Sequence, residues 1–217
     1  MTVTPPAGRV VFLNGGSSSG TSTIGRALQA KLEGGWLLIG VDVLNWLLPV
    51  EMTRSPSGIS VIDGEIHRGA AFLSAYNWFQ HSVAALCRAG QNVTVDGVLA
   101  DGGAGQRNWA SSFEGIAVIW VGVCCSGPVA KARESDRGDR SRGVAGRYTD
   151  CVHQGVNYDI DVDTTAASVA DSVSSIAGAL LDRWGVASGN RENGRDGLPA
   201  RTALCADGSG SAAPWER

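Results

Sequence analysis

Gly15-Gly16-Ser17-Ser18-Ser19-Gly20-Thr21-Ser22-Thr23 is the stretch from which the fold of this chain can be inferred. It follows an apolar run, residues 9–14, that is typical of a buried strand. It precedes a segment in which Ile24, Leu28 and Leu32 recur at helical spacing. In a strand–loop–helix unit of this kind, backbone N–H groups and the positive end of the helix form an anion site. We therefore predict that the nine residues of the loop bind the phosphates of a nucleotide.

The loop departs from the usual phosphate-binding pattern at one position. Gly15 and Gly20 match the glycines of G-x-x-x-x-G-K-[ST], and Ser22 matches the hydroxyl that meets Mg²⁺, but Thr21 occupies the place of the lysine. A missing lysine leaves the backbone cradle intact but removes a charge beside the transferred phosphoryl group. Because the chain has only two lysines, we expect arginine to supply that charge. The alternative is a connector that binds nothing, since glycine is common here, at 30 of 217 residues.

Composition limits the class of protein. A length of 217 residues with 43% hydrophobic residues suffices for one α/β domain with a substantial core. A net charge of −3 gives no electrostatic reason to expect nucleic acid or an anionic membrane as a partner. No apolar run approaches the roughly 18 residues of a membrane span, and the N-terminus does not resemble a signal peptide. Five cysteines without a C-x-x-C pair favour the reducing cytoplasm.

Strand and helix patterns alternate along the chain. Predicted strands cover residues 9–14, 36–42, 92–96, 116–123 and 158–163, with a short hairpin strand at 60–63 inside an irregular excursion. Predicted helices cover 24–32, 70–89 and 106–112, and a last helix is N-capped by Thr165. The pattern predicts an α/β three-layer sandwich with a five-stranded parallel sheet in residues 1–185. Residues 186–217 lack periodicity and are predicted to form a disordered tail.

Two aspartates end predicted strands, and ligands of open parallel sheets bind at that carboxyl edge. Asp42 follows the second strand and Asp96 the third, so both are expected beside the loop. Asp96 is expected to hold the water shell of a Mg²⁺ ion whose direct ligand is Ser22. The alternative for Asp96 is a turn residue before Gly97, and the alternative for Asp42 is a cap of the following helix.

Three arginines follow the fourth strand. Arg133, Arg137 and Arg140 are spaced i, i+4, i+7, which places three guanidinium groups on one helical face. Such a face suits a lid over a triphosphate, because planar guanidinium groups pair bidentately with phosphate. The alternative is a solvated face on which these arginines pair with neighbouring acidic residues, namely Glu134, Asp136 and Asp139.

Several short motifs follow one another in order along the chain. They are Leu13-Asn14-Gly15-Gly16-Ser17-Ser18, Gly40-Val41-Asp42, Trp120-Val121-Gly122-Val123, Arg133-Glu134, Arg137-Gly138-Asp139-Arg140 and Val162-Asp163-Thr164-Thr165. Together, over about residues 9–184, the sequence resembles the chloramphenicol phosphotransferase family of P-loop kinases. The resemblance implies transfer of the γ-phosphate of ATP or GTP, with Mg²⁺, to a hydroxyl of a small natural product or antibiotic. It also implies that Asp42 is the base, in a resistance or biosynthetic tailoring enzyme. Gly97 departs from this pattern, because a second acidic residue is expected after Asp96.

Two other functions remain open from the sequence. The string Ser19-Gly20-Thr21-Ser22 also resembles the donor loop of sulfotransferases, although those enzymes usually need a catalytic histidine that is not evident here. A non-catalytic nucleotide- or ligand-binding protein of the same fold is the other alternative. The expected partner is a small hydroxylated molecule rather than nucleic acid or membrane, and a homo-oligomer is left open.

Overall fold

The structure, a computed structural model, describes residues 6–53, 55–62, 65–137 and 151–186. Strands and helices alternate along most of these ranges, as the sequence predicts. The strands are β1 (Arg9–Asn14), β2 (Leu37–Gly40), β3 (Ile59–Ile62), β4 (Glu65–Arg68), β5 (Val93–Gly97), β6 (Ala117–Cys124) and β7 (Ile160–Asp163). The helices are α1 (Thr21–Lys31), α2 (Val41–Leu47), α3 (Ala70–Arg88), α4 (Gly103–Ser112), α5 (Gly127–Arg137) and α6 (Val169–Trp184). A 3₁₀ turn covers Cys151–His153.

Five of the strands form one parallel sheet in the order β2-β5-β1-β6-β7. This arrangement confirms the predicted five-stranded parallel sheet. The central strand is β1, so the loop that follows it opens at the middle of the carboxyl edge. Leu13 is paired in register with Asp96 of β5, which brings the predicted acidic residue to the same edge. The strand order reverses beside β1, and that crevice is where open α/β sheets bind ligands.

Helices cover both faces of the sheet because β1 is apolar on both sides. Val11 and Leu13 belong to a core that includes side chains of α1 and α6. Val10 and Phe12 belong to a second core, built with α3 and α4. A strand buried on both faces is what a continuous apolar run, rather than an alternating one, predicts.

The excursion after α2 contains an antiparallel hairpin. Strands β3 and β4 pair with Ile59 opposite Arg68, one residue earlier than the predicted hairpin strand begins. The main sheet also starts and stops slightly differently from the prediction: β2 ends at Gly40, and α2 begins at once with Val41. Asp42 therefore lies in the first turn of a helix rather than at the tip of a strand.

The predicted cap of the last helix is wrong. Ser168 is the N-cap of α6, and it forms a capping box with Asp171, whose N–H donates to the Ser168 Oγ at 3.1 Å. The Thr165 hydroxyl instead accepts a hydrogen bond from the Ser126 N–H at 2.9 Å. Thr165 therefore joins the end of β7 to the start of α5. The predicted tail, apart from Val186, lies outside the described residues.

Among the described helices, none combines the length and the apolar character that crossing a bilayer requires.

Candidate active site

The loop after β1 depends on two glycines for its shape. A Cβ on Gly15 would lie 2.3 Å from the Ser19 Oγ and 2.8 Å from the Val123 carbonyl oxygen, so a side chain cannot be accommodated there. Gly20 has φ +102°, a left-handed conformation that glycine adopts without strain. Gly20 is also the N-cap of α1, whose first N–H groups lack partners within the helix. Donors of this kind, together with the helix dipole, favour the binding of an anion at the start of a helix.

Thr21 occupies the position of the absent lysine with its side chain turned into the loop. The residue is buried, and its methyl carbon lies 2.9 Å from the position of a Cβ on Gly15. The side chain thus helps to fill the base of the loop instead of extending over it. No lysine or arginine is among the described residues that line the adjoining cavity.

That cavity brings most of the predicted site residues together. The Ser22 Oγ donates a hydrogen bond to the Asp96 Oδ2 at 2.6 Å, across the space between α1 and β5. Asp42 faces the same cavity from α2. The full lining is Gly16, Ser17, Ser18, Gly20, Thr21, Ser22, Val41, Asp42, Asp96 and Val98. Of the predicted loop residues, Gly15, Ser19 and Thr23 are not part of this lining.

Asp42 is not the cap of α2. The N-cap position is held by Gly40, which has no side chain to offer, and Asp42 lies two residues into the helix. Its charge is favourable in the first turn, where the helix dipole is positive. The side chain is exposed at the rim of the cavity.

Arg133 is placed differently from the lid that the arginine spacing suggested. Its Nη2 donates to the Thr164 carbonyl oxygen at 2.7 Å, and its Nη1 lies 3.5 and 3.4 Å from the carbonyl oxygens of Ser18 and Ser19. The Thr164 hydroxyl donates to the same Ser19 oxygen at 2.7 Å. Arg133 and Thr164 therefore form a brace on the carbonyl side of the loop. The Arg137 side chain and all of Arg140 lie outside the described residues.

Asn14 links the end of β1 to two other loops, and sequence reasoning assigned it no role. Its Oδ1 accepts from the Leu99 N–H at 2.8 Å, and its Nδ2 donates to the Val152 carbonyl oxygen at 2.8 Å and to the Tyr158 hydroxyl. The Tyr158 hydroxyl also lies 2.7 Å from the His153 Nδ1. Burial raises the pKa of Tyr158 to about 12, so the phenol stays protonated in this network. The sequence feature that could have indicated this role is the polar Asn14 at the end of an otherwise apolar stretch of β1.

Gly97, the last residue of β5, takes the place of the second carboxylate that was expected after Asp96. A Cβ on Gly97 would lie 2.5 Å from two ring carbons of Phe12. The Phe12 ring thus fills the space that a second acidic side chain would need.

Comparison with known proteins agrees with this geometry. A family model described as chloramphenicol phosphotransferase-like protein matches residues 8–181. A Mycobacterium tuberculosis protein, provisionally named an O-phosphotransferase, is 29% identical over 76% of this chain and 78% of its own length.

Solved structures share the fold at low sequence identity. The Mycobacterium tuberculosis APS kinase, in complex with AMPPNP and APS, matches with a TM-score of 0.56 at 16% identity, over 82% of this chain and 99% of that one. The tunicamycin resistance protein of Deinococcus radiodurans has a TM-score of 0.57 at 15% identity, over 80% and 95%. A gluconokinase from Sinorhizobium meliloti 1021 has a TM-score of 0.52 at 17% identity, over 83% and 99%. The fold is that of P-loop kinases, and because the family model spans most of the chain, the protein belongs to the chloramphenicol phosphotransferase-like family.

Proposed function

We propose that the protein is a small-molecule kinase that transfers the γ-phosphate of ATP or GTP to a hydroxyl of a natural product or antibiotic. The observation that carries the proposal is the shared cavity, in which Asp42 faces the phosphate-binding loop and the Ser22–Asp96 pair. Family membership supports O-phosphotransfer as the reaction class. The proposed setting is the cytoplasm, where nucleotide triphosphates and reduced cysteines coexist.

In the proposed reaction Asp42 is the general base. The acceptor hydroxyl oxygen attacks the γ-phosphorus while the Asp42 carboxylate takes its proton, and the bond to the β–γ bridging oxygen breaks to release the nucleoside diphosphate. The loop N–H groups hold the β- and γ-phosphate oxygens in line with the acceptor. Exposure of Asp42 at the rim lets the acceptor hydroxyl approach from outside the loop.

Ser22 and Asp96 are suited to hold Mg²⁺. A hydroxyl and a carboxylate 2.6 Å apart are oxygen ligands of the kind that Mg²⁺ prefers. The described residues hold no cluster of three His, Cys, Asp or Glu side chains for a metal, but Mg²⁺ in kinases takes most ligands from phosphate and water. The bound ion would neutralise charge on the phosphates.

The arginines are proposed to have two roles, one in holding the loop and one in neutralising phosphate charge. Arg133 faces the carbonyl groups of Ser18 and Ser19 and is proposed to hold the loop in the shape that binds phosphate. Arg137 and Arg140 remain the proposed source of positive charge opposite the loop. The described lining of the cavity contains no lysine or arginine. The arginines would therefore supply the positive charge that is missing because Thr21 replaces the lysine.

Mass spectrometry tests the proposal directly. The protein is incubated with Mg-ATP or Mg-GTP and a panel of hydroxylated antibiotics, and one added phosphoryl group on an acceptor is the expected product. The matched control is Asp42→Asn, which should bind nucleotide but form little product. Calorimetry with ATP, GTP and a phosphosulfate donor accompanies it. Binding of the phosphosulfate alone would favour the sulfotransferase alternative, and nucleotide binding without any product would favour a non-catalytic binding protein.

A further inference from the structure

The helix that carries Asp42 exposes apolar side chains where a surface helix ordinarily exposes polar ones. Trp46 is 89% exposed and Leu47 72% exposed, and Val50 just beyond the helix is 65% exposed. The helix is nevertheless anchored, because Leu44 is buried in the core that includes α3 and Val41 packs against it. The helix thus has a core-facing side and a second apolar side in water. Contiguous exposed apolar surface of this kind marks a binding site more often than chance exposure does.

Trp46 lies on the same helical face as the proposed base. Asp42 and Trp46 are spaced i, i+4, which brings their Cβ atoms to about 5–6 Å of each other on the helix surface. Side chains on a helix also lean toward its N-terminus, which in α2 is the turn that contains Asp42. The first turn of α2 lines the loop cavity through Val41 and Asp42. The exposed indole is not itself part of the lining, but it lies one helical turn beyond Asp42, the residue that an acceptor hydroxyl is proposed to reach.

We propose that Trp46 is the acceptor-binding platform and determines specificity for acceptors with a neutral apolar or aromatic body. This inference rests on the proposed kinase function and adds a residue to its acceptor side. An acceptor with its hydroxyl at Asp42 extends its body along α2 and over the indole face. Stacking on tryptophan and burial of apolar surface both favour such a body.

Charge along α2 supports the same acceptor class. Asp42 is the one charged residue between positions 41 and 50. An anionic acceptor would meet this carboxylate without a cation on α2 to offset the repulsion. A neutral apolar acceptor meets no such penalty, and it covers the surface that water otherwise contacts.

A second exposed tryptophan supplies a matched control. Trp78 is 66% exposed in the middle of α3, a helix that contributes no residue to the described lining of the cavity. Its replacement removes the same kind of exposed indole from a face that has no proposed contact with the acceptor. Both variants leave the buried core unchanged, so both should fold.

The experiment measures acceptor binding separately from turnover. Chloramphenicol, a neutral hydroxylated aromatic, is titrated by calorimetry into the parent and into Trp46→Ala, Trp46→Phe and Trp78→Ala, each saturated with Mg-ADP. Glycerol, which has hydroxyls but no apolar body, is the comparison acceptor. Trp46→Ala should weaken chloramphenicol binding about tenfold or more, Trp46→Phe should restore most of it, and Trp78→Ala should match the parent. Glycerol binding and ADP affinity should not respond to position 46.

Several outcomes would overturn the proposal. One is chloramphenicol affinity that is equal in Trp46→Ala and the parent, or absent in both. Another is an unchanged affinity together with a lower oligomeric state of Trp46→Ala by sedimentation, which would identify this face as a subunit interface. Because binding is read without phosphoryl transfer, a parent that binds chloramphenicol through Trp46 but phosphorylates neither it nor any other acceptor of the panel would contradict the kinase function and leave the role of Trp46 in binding intact.

Discussion

The two walls of the cavity are built in opposite ways. On the loop wall, the carbonyl groups of Ser18 and Ser19 face Arg133, and Thr164 joins Ser19 to the end of β7. On the α2 wall, Asp42 is exposed, and Trp46, one helical turn beyond the lining, is exposed as well. Hydrogen bonds thus fix the proposed nucleotide side of the site, whereas the proposed acceptor side leaves apolar surface exposed. If acceptors differ in shape while the phosphate donor is shared, the exposed helix is the part that can change without disturbing the loop.

The largest effect is expected on the α2 wall. Asp42→Asn should lower kcat by about two to four orders of magnitude, the range of general acid–base groups, because the amide cannot take the hydroxyl proton. Nucleotide affinity should stay near that of the parent, since Asp42 faces the acceptor. Steady-state kinetics and nucleotide calorimetry on the same preparation test both parts. Comparable turnover in the variant would remove Asp42 from the role of base.

Breaking the loop wall should have a large but different effect. Arg133→Ala removes the guanidinium that faces two loop carbonyl groups, and it should destabilise the loop by about 1.5–3 kcal/mol, the scale of a hydrogen bond to a charged group, and lower kcat/KM accordingly. Nucleotide affinity should fall with it, unlike in Asp42→Asn. Arg133→Lys keeps the positive charge but not the planar guanidinium group, which can bond two acceptors at once. Its activity should therefore lie between that of the parent and that of Arg133→Ala. Full activity in Arg133→Ala would show that the brace is dispensable.

The contribution of Thr164 to the loop wall can be measured as a change in the free energy of unfolding. Thr164→Val removes the hydroxyl that donates to the Ser19 carbonyl oxygen, and it should lower the free energy of unfolding by about 1–3 kcal/mol because that oxygen loses a donor. Thr164→Ser keeps the hydroxyl and is the matched control. Urea denaturation measures both variants. An equal loss in the two variants would assign the effect to packing of the methyl group instead.

The smallest change in the parent is expected at Thr21. Because the brace and the remaining arginines are proposed to replace the lysine, Thr21→Lys should alter kcat/KM of the parent only a few-fold. The same substitution should partly rescue Arg137→Ala, which lacks one proposed phosphate-binding charge. Comparing kcat/KM of Thr21→Lys, Arg137→Ala and the double variant shows whether the added lysine restores activity. Activity that first appears with Thr21→Lys in an inactive parent would mark the natural protein as a non-kinase relative.

The parts of the structure that could be predicted share one property, which is that they depend on neighbours in sequence. The apolar run of β1, the glycine loop and the periodic segment after it predicted the strand–loop–helix unit that the structure contains. Aspartates after apolar strands predicted that Asp96 would reach the loop, and it accepts a hydrogen bond from Ser22. These inferences rest on local periodicity and on the common carboxyl edge of parallel strands.

The parts that could not be predicted depend on contacts between distant segments. Spacing at i, i+4, i+7 treats three arginines as equivalent, but Arg133 bonds Thr164, which lies 31 residues further on. Asn14 likewise meets Val152 at a separation of 138 residues. No periodicity encodes such pairs, because only the folded sheet brings β1, α5 and β7 together. The exposure of Trp46 could not be predicted either, because an apolar residue two positions after Leu44 is as compatible with the core as with the surface.

Phe12 and Gly97 have a consequence for how this site can evolve. The two positions are on paired strands, and the ring of one fills the place of a side chain on the other. A single step from Gly97 to aspartate would pass through an overpacked core, which typically costs about 1–3 kcal/mol. The opposite first step, a smaller residue at position 12, would leave a cavity before any carboxylate could fill it. Both single steps lower stability, so the two positions are expected to change together, and relatives with two acidic residues here should carry a smaller residue at the position of Phe12.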